Sequence, residues 1–130
     1  MTYCPIEHDG PVWDYDDVEV FIDSDNDKNS YYLFGTGAAG SRFEMNCSKE
    51  PYKQDIAWLV SWKVRTQKGE GCWYVEMSIP LKEIGLVPEK NSYFGISLNR
   101  SRYAGPSIVP SGWPNGKFHE PEYFGKAIFE

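Results

Sequence analysis

The sequence predicts an all-β fold, an antiparallel β-sandwich, and three observations support this prediction. Apolar and polar side chains alternate along several short segments, a pattern typical of half-buried strands. Helical periodicity is almost absent from the chain. Glycine, proline and other turn-forming residues separate the alternating segments, as they do in β-sandwiches.

The composition limits the classes of protein that fit. The chain has 130 residues, of which 41% are hydrophobic, 25% charged and 16% aromatic. This suffices for one domain with its own core over residues 1–130, since the sequence shows no internal repeat and no linker. A formal net charge of −6 argues against a nucleic-acid partner. No apolar run is long enough for a transmembrane helix, so no membrane partner is expected.

The first residues and the cysteines carry little targeting or redox information. No basic stretch is followed by an apolar one, so the beginning of the chain does not look like a signal peptide. We therefore expect either a cytoplasmic protein or a mature fragment of a larger one. Cys4, Cys47 and Cys72 form no C-x-x-C pair, which excludes metal-finger and thioredoxin-like sites. One disulfide and one free thiol would account for all three.

Three strands are predicted in the first part of the chain. Residues 17–23 carry aliphatic side chains on one face and mostly acidic ones, including Glu19, on the other. Residues 30–36 form the second strand and residues 41–45 the third. A polar turn rich in Asp and Asn connects the first two strands.

The clearest predicted unit is a β-hairpin formed by residues 58–66 and 72–79. Both segments alternate, and their apolar faces carry three tryptophans, Trp58, Trp62 and Trp73. The alternation makes core packing the expected role of these rings.

The remainder of the chain is predicted as a turn, a strand, a loop and a final strand. Residues 81–84 fit one helical turn that Gly85 ends. Residues 94–100 alternate, with the apolar side chains expected to point inward and the polar ones outward. Residues 101–122 are rich in Gly, Pro and Ser and are predicted as a long loop, followed by a strand over residues 126–130.

Two tryptophans, Trp13 and Trp113, belong to no alternating segment. Loop aromatics on a β-scaffold often bind ligands, although each ring could instead plug one end of the sandwich. A sugar ring can lie with its apolar face on an indole ring while its hydroxyl groups point toward polar side chains. Glu19 and Asn99 lie on the polar sides of their strands and could supply such contacts. Strict alternation puts Arg100 on the opposite side unless a bulge re-aims it.

The acidic turn after the first strand is a candidate metal site. Asp23, Asp25 and Asp27 repeat the opening of a calcium-binding loop, and Ca²⁺ prefers carboxylate and carbonyl oxygens. The glycine and the bidentate glutamate of an EF-hand are missing, so the turn is not an EF-hand. The alternative is an ordinary solvated turn.

The sequence shows no complete catalytic motif. The only histidines are His8 and His119, and no further residues complete a metal or acid–base site around them, so a structural role capping a turn is expected for His119. The sequence contains no G-x-S-x-G motif. Acidic residues are too plentiful for a glycosidase pair to stand out, and we predict that the chain is not an enzyme.

Several runs of residues, taken together, resemble the carbohydrate-binding module family 9 superfamily. They include DDVEVFID at residues 16–23 and GCWYVEMSIPL at residues 71–81. Further matching runs are residues 31–34, 95–100, 111–113 and 118–125. The resemblance covers the chain from Trp13 onward.

The resemblance implies a jelly-roll or immunoglobulin-like sandwich with bound Ca²⁺, for which Asp23, Asp25 and Asp27 are the candidate ligands. It implies non-catalytic binding of an oligo- or polysaccharide, namely cello- or xylo-oligosaccharides or chain ends held between Trp13 and Trp113. It also implies secretion and attachment to a glycoside hydrolase in a longer chain. The residues expected to form hydrogen bonds with the sugar are Glu19, Asn99, and Arg100 or Arg42.

The chain departs from the family pattern in two ways. Few residues precede Trp13, so N-terminal strands of the family would be missing, supplied by another chain in a strand-exchanged dimer, or present in a longer protein. Gly35 and Gly37 stand where the founding members carry sugar-gripping Arg and Asn, and Arg42 is a substitute from the next strand. The second hypothesis is therefore a structural or protein-interaction sandwich that has lost sugar binding.

Overall fold

The computed structural model describes residues 16–104 and 106–130, and it confirms the all-β prediction. This part of the chain contains nine strands and two short 3-10 helices, Leu81–Ile84 and Pro121–Tyr123. The strands are β1 (Asp17–Asp23), β2 (Ser30–Gly37), β3 (Arg42–Ser48), β4 (Lys53–Asp55), β5 (Lys63–Gly69), β6 (Cys72–Ser78), β7 (Tyr93–Ala104), β8 (Ser107–Trp113) and β9 (Gly125–Ile128). None of the helices in these residues is long and apolar enough to cross a membrane.

The strands form two antiparallel sheets, as a sandwich requires. The large sheet has the order β4-β3-β2-β1-β7-β8, and β9 pairs with the beginning of β7. Strands β5 and β6 form a separate hairpin. β1 lies in the middle of the large sheet, so its residues 17–22 have a paired neighbour on both sides. Glu19, for example, lies between Gly35 of β2 and Asn99 of β7.

Most predicted elements are confirmed, with adjusted boundaries. The first strand, residues 17–23, is β1 without change, and residues 81–84 form a helical turn that Gly85 ends with a φ of 70°. The hairpin is also confirmed, but β5 begins only at Lys63. Val60 and Trp62 are buried although they precede the strand, because they fill the space between the sheets.

The predicted loop over residues 101–122 is wrong in its first half. β7 continues through residue 104, and β8 pairs with it over residues 107–113. β8 is an edge strand in which every residue is exposed, so its neighbours impose no alternation and Pro110 is tolerated. The alternation of apolar and polar residues that predicts a strand is therefore absent from residues 107–113. The three-residue strand β4 was missed because it is too short to show such alternation.

The large sheet has two faces, and each carries its own core. We call the side bearing Val20, Ile22, Phe34 and Arg100 the sandwich face, because it packs against the hairpin. The side bearing Glu19 and Asn99 is the cleft face, and residues 118–124 cover part of it. The buried cluster of the cleft face consists of Phe21, Tyr31, Leu33, Phe43, Met45, Cys47 and Phe124.

The existence of this second core corrects the predicted directions of the side chains on β7. Ser97 and Asn99 were expected to point outward, yet their exposed fractions are 1% and 2%. Leu98 was expected inward but is 44% exposed. The alternation was correctly identified, but Ser97 and Asn99 lie against Trp113 and Gly112 of β8, which come later in the chain and cannot be recognised from the sequence of β7.

Candidate functional site

A cleft of about 330 Å³ opens on the cleft face. Its size falls in the lower part of the range for small-ligand sites, about 300–1,000 Å³. Apolar side chains of β2 and β3 form its floor, and Phe118 and His119 form one wall. The polar groups at its border are Glu19 of β1, Gln54 of β4 and Ser101 of β7.

Glycines leave the row of the sheet beside Glu19 without side chains from β2. Gly35 lies directly opposite Glu19 and Gly37 opposite Asp17, so β2 places no side chain next to either carboxyl group. Phe43 of β3 is paired with Gly35 and is the next side chain along this row of the sheet. Both glycines are themselves buried, so this part of the cleft face is covered and not open to solvent.

Two carboxyl groups are buried two residues apart on this face. Burial, aided by the charge of Asp17, raises the pKa of Glu19 to about 8. Burial also raises the pKa of Asp17 to about 7, although Asp17 Oδ1 accepts a hydrogen bond from the Ser101 amide at 3.1 Å. At neutral pH Glu19 is therefore mainly a neutral carboxyl group, which can both donate and accept a hydrogen bond.

Asn99 is paired with Glu19, but its side-chain oxygen lies on the side of β8 and does not line the cleft. Its Nδ2 donates to Ser97 Oγ at 2.9 Å, whereas its Oδ1 is buried and has no hydrogen-bond partner among the described residues. Gly112 of β8 is paired with Asn99, and a Cβ atom at this position would collide with Asn99 Oδ1. Since buried polar atoms are normally satisfied, the orphan oxygen indicates a water or ligand contact.

His119 forms part of the wall and is held in place by the aromatic cluster. Tyr31 Oη and His119 Nδ1 are 2.8 Å apart, and the imidazole lies edge-on to Phe21 with ring centres 5.0 Å apart. Burial lowers the pKa of His119, so the ring is neutral at pH 7. The ring packs against the sheet, whereas the turn-capping role predicted for it remains a prediction.

The structure does not bring the other predicted sugar ligands to Glu19 and Asn99. Arg42 lies on the sandwich face, where its Nη1 donates to the Trp62 carbonyl at 3.0 Å. Arg100 also lies on that face, as strict alternation predicted.

The two candidate stacking residues cannot both be placed. Trp113 is paired with Leu98 on the sandwich face, is 51% exposed, and has its ring against Gly125. Trp13 lies outside the described residues. The predicted pair of facing tryptophans is therefore not assembled by the part of the chain that the structure describes.

Sequence reasoning missed several residues of the cleft. Gln54 lies on the overlooked strand β4, and Ser101 lies in the region assigned to a loop, as does Gly112, which contacts Asn99 outside the cleft. In the sequence, Gly112 stood out only as the neighbour of Trp113. That it lies opposite Asn99 follows only from the register of β8 against β7. No local pattern reveals that register.

The acidic turn brings its three carboxylates together. One oxygen from each of Asp23, Asp25 and Asp27 lies within 4.8 Å of the others. Asp23 is buried, and this burial raises its pKa to about 6. Asn26 Oδ1 and Ser24 Oγ, in the same turn, are buried without a hydrogen-bond partner among the described residues. These oxygen donors fit the ligand preferences of Ca²⁺.

The thiols do not form a disulfide with each other. Cys47 is a buried free thiol in the core of the cleft face, and Cys72 is an exposed free thiol at the hairpin turn. Cys4 lies outside the described residues.

A two-layer β-fold with a partly apolar cleft and unsatisfied polar groups defines a ligand-binding module. Comparison with known families places it more closely: a family model described as "Carbohydrate family 9 binding domain-like" matches residues 6–130. The chain therefore belongs to the family 9 carbohydrate-binding modules. Domains of this family are non-catalytic modules that bind carbohydrate.

Two curated proteins show a weaker similarity. They are the endo-1,4-beta-xylanases A of Thermotoga neapolitana and Thermotoga maritima, each 27% identical over 131 aligned positions. The alignments cover 87% of this chain but only 11% of each xylanase. No solved structure showed a significant match to the chain.

Proposed function

We propose that this module binds soluble cello- or xylo-oligosaccharides, or the ends of such chains, in the cleft beside Glu19. The observation that carries the proposal is the neutral carboxyl group of Glu19 at the border of the cleft, together with the unpartnered, buried Asn99 Oδ1 of the residue paired with it on β7. Both groups suit the hydroxyl groups of an uncharged sugar, since each can accept a hydrogen bond and Glu19 can also donate one. Family membership supports the carbohydrate class of the ligand.

The apolar part of the cleft would contact the carbon-bound hydrogens of the sugar ring. Phe118 and His119 present their rings at one wall, and Met45 lies on the floor. Trp13 remains a predicted stacking residue at this site. We do not place Trp113 in the cleft, because its strand register puts it on the sandwich face.

We propose further that Ca²⁺ stabilises the turn of Asp23, Asp25 and Asp27 without touching the sugar. The turn lies at the end of β1 that is remote from Asp17, so it belongs to the scaffold. Attachment to a glycoside hydrolase in a secreted protein is also proposed, on the basis of the similarity to two xylanases. A strand-exchanged dimer stays a prediction.

Calorimetric titration with cellobiose, xylobiose and glucose tests the sugar site. We expect saturable binding that changes little with salt, because the contacts are uncharged. Replacing Glu19→Ala or Asn99→Ala should weaken binding about tenfold or more, equivalent to about 1.4 kcal/mol. Glu19→Gln should retain most of the affinity at pH 6, since its amide resembles a protonated carboxyl group.

Glu76→Gln serves as the matched control, because Glu76 is an exposed glutamate on the hairpin. It should bind like the unmodified protein. A folded protein that binds none of the sugars would refute the proposal and favour the alternative, a protein-interaction sandwich. The replacement of side chains by Gly35 and Gly37 opposite the two carboxyl groups is the observation that supports this alternative.

A further inference from the structure

A second and larger cavity, of about 670 Å³, lies at the other side of the large sheet. One wall is formed by Arg100 and Arg102 of β7, and the other by Cys72 and Trp73 at the turn of the hairpin. Because the two arginines are two residues apart on one strand, both side chains project from the same face. Among the described residues, none borders both this cavity and the Glu19 cleft.

The cavity lies beyond the packed core of the sandwich face, at the end of the hairpin that carries its turn. Met77 of β6 packs into the core of the sandwich face, but Trp73, four residues earlier on the same strand, is not part of that core. Trp73 is half-buried and borders the cavity instead. Among the residues that the structure describes, Trp73 does not pack against that core, so its predicted core role is not confirmed.

The charges in the cavity favour an anion. Arg100 and Arg102 are both exposed, and neither pairs with a carboxylate of the residues that the structure describes. Asp16 also borders the cavity, but its Oδ1 accepts a hydrogen bond from the Tyr103 amide at 2.7 Å. The two guanidinium groups thus lie together in a protein whose formal net charge is −6. A general attraction for polyanions is not expected from that net charge, so an anion would have to bind locally.

We propose that this cavity binds an acidic sugar, a hexuronate residue within an oligosaccharide. Arg100 and Arg102 would hold the carboxylate, since the guanidinium group matches a carboxylate with paired hydrogen bonds. Trp73 would contact the face of the sugar ring. The inference shares with the proposed function the carbohydrate class given by the family, but it uses a different face and different residues.

Titration with tetragalacturonate, and with cellotetraose as the neutral counterpart, tests the inference. The acidic tetramer should bind saturably at low salt and more weakly as salt is added. The double variant Arg100→Gln with Arg102→Gln should lose about tenfold or more in affinity. Arg65→Gln is the matched control, because Arg65 is an exposed arginine on β5 outside this cavity, and it should bind normally.

Alkylation of Cys72, followed by mass spectrometry of its peptide, gives a second measurement. Cys72 is an exposed free thiol in the cavity wall, so a bound acidic tetramer should slow its alkylation. Cellotetraose should leave the rate unchanged. The double arginine variant should show no protection by either ligand.

The Glu19→Ala variant separates this inference from the proposed function. It should bind tetragalacturonate normally even though it loses the neutral sugars. The inference is overturned if Glu19→Ala abolishes binding of the acidic tetramer, or if the arginine variant binds it as well as the unmodified protein does. Absence of saturable binding to the folded protein, or equal binding of dextran sulfate, would also overturn it.

Discussion

The two faces of the central sheet differ in what fills them. The sandwich face meets the hairpin through aliphatic and aromatic side chains, with Phe34 and Trp62 almost completely buried. The cleft face also buries aromatic rings, but it buries Asp17, Glu19 and Asn99 beside them. Burying polar groups costs free energy unless they find partners. The comparison indicates that the sandwich face mainly stabilises the fold, whereas the cleft face gives up stability where we propose that the sugar binds.

The largest expected effect is a loss of stability from the sandwich face. Phe34 is fully buried, and its ring centre lies 5.3 Å from that of Trp62. Phe34→Ala should lower the free energy of unfolding by about 3–5 kcal/mol, because it removes a large ring and leaves a cavity. Denaturant unfolding measures this change. A loss below about 1 kcal/mol would contradict the role assigned to this face.

Gly112→Ala should separate binding from stability. The new Cβ atom would push against Asn99 Oδ1, so the amide would have to move. We expect the sugar affinity to fall about tenfold, with a smaller loss of stability than Phe34→Ala causes. Ser111→Ala, the exposed neighbouring position, is the control and should change neither property. Unchanged sugar affinity in Gly112→Ala would remove Asn99 from the proposed site.

The pH dependence of stability tests the acids of the cleft face. The folded-state pKa of Glu19, about 8, lies above its ordinary value of 4.5, so the folded protein holds this proton more tightly than the unfolded chain does. Its contribution is fully present below about pH 4.5 and is lost as the pH rises through 8. The Glu19→Gln variant has no titrating group at this position, so its stability lacks this contribution to the pH dependence.

Thermal unfolding at several pH values measures this difference. The melting temperature of Glu19→Gln, relative to the unmodified protein, should increase by about 10 °C or more between pH 4 and pH 8.5. The exposed control Glu76→Gln should show no such trend. A constant difference for Glu19→Gln would mean that its carboxyl group is not buried as described.

The smallest effect is expected at the surface. Lys49 Nζ and Glu122 Oε1 are 2.6 Å apart and connect β3 to the segment that covers the cleft face. Exposed ion pairs contribute little to stability because water and salt screen them. Glu122→Gln should leave the melting temperature within about 2 °C of the original. A larger decrease would show that this contact holds the covering segment in place.

The sequence predicted local structure better than it predicted the surroundings of each face. β1 and the turn ended by Gly85 follow from alternation and from the left-handed conformation that glycine adopts readily. The burial of Ser97 and Asn99 could not be predicted, because the residues that cover them are distant in the chain. Among the predicted ligands, Glu19 and Asn99 share a face, whereas Arg42, Arg100 and Trp113 lie on the other. Alternation alone had correctly separated Arg100 from Asn99.

The most direct test of the account is to map sugar binding by NMR with an isotope-labelled protein titrated with cellobiose. The account predicts that the amide signals of Glu19, Asn99, Ser101 and His119 shift together with one dissociation constant, while those of Val64 and Met77 on the hairpin remain in place. Shifts confined to the hairpin or to the sandwich face would contradict the central claim, because the cleft face would then not be the binding surface.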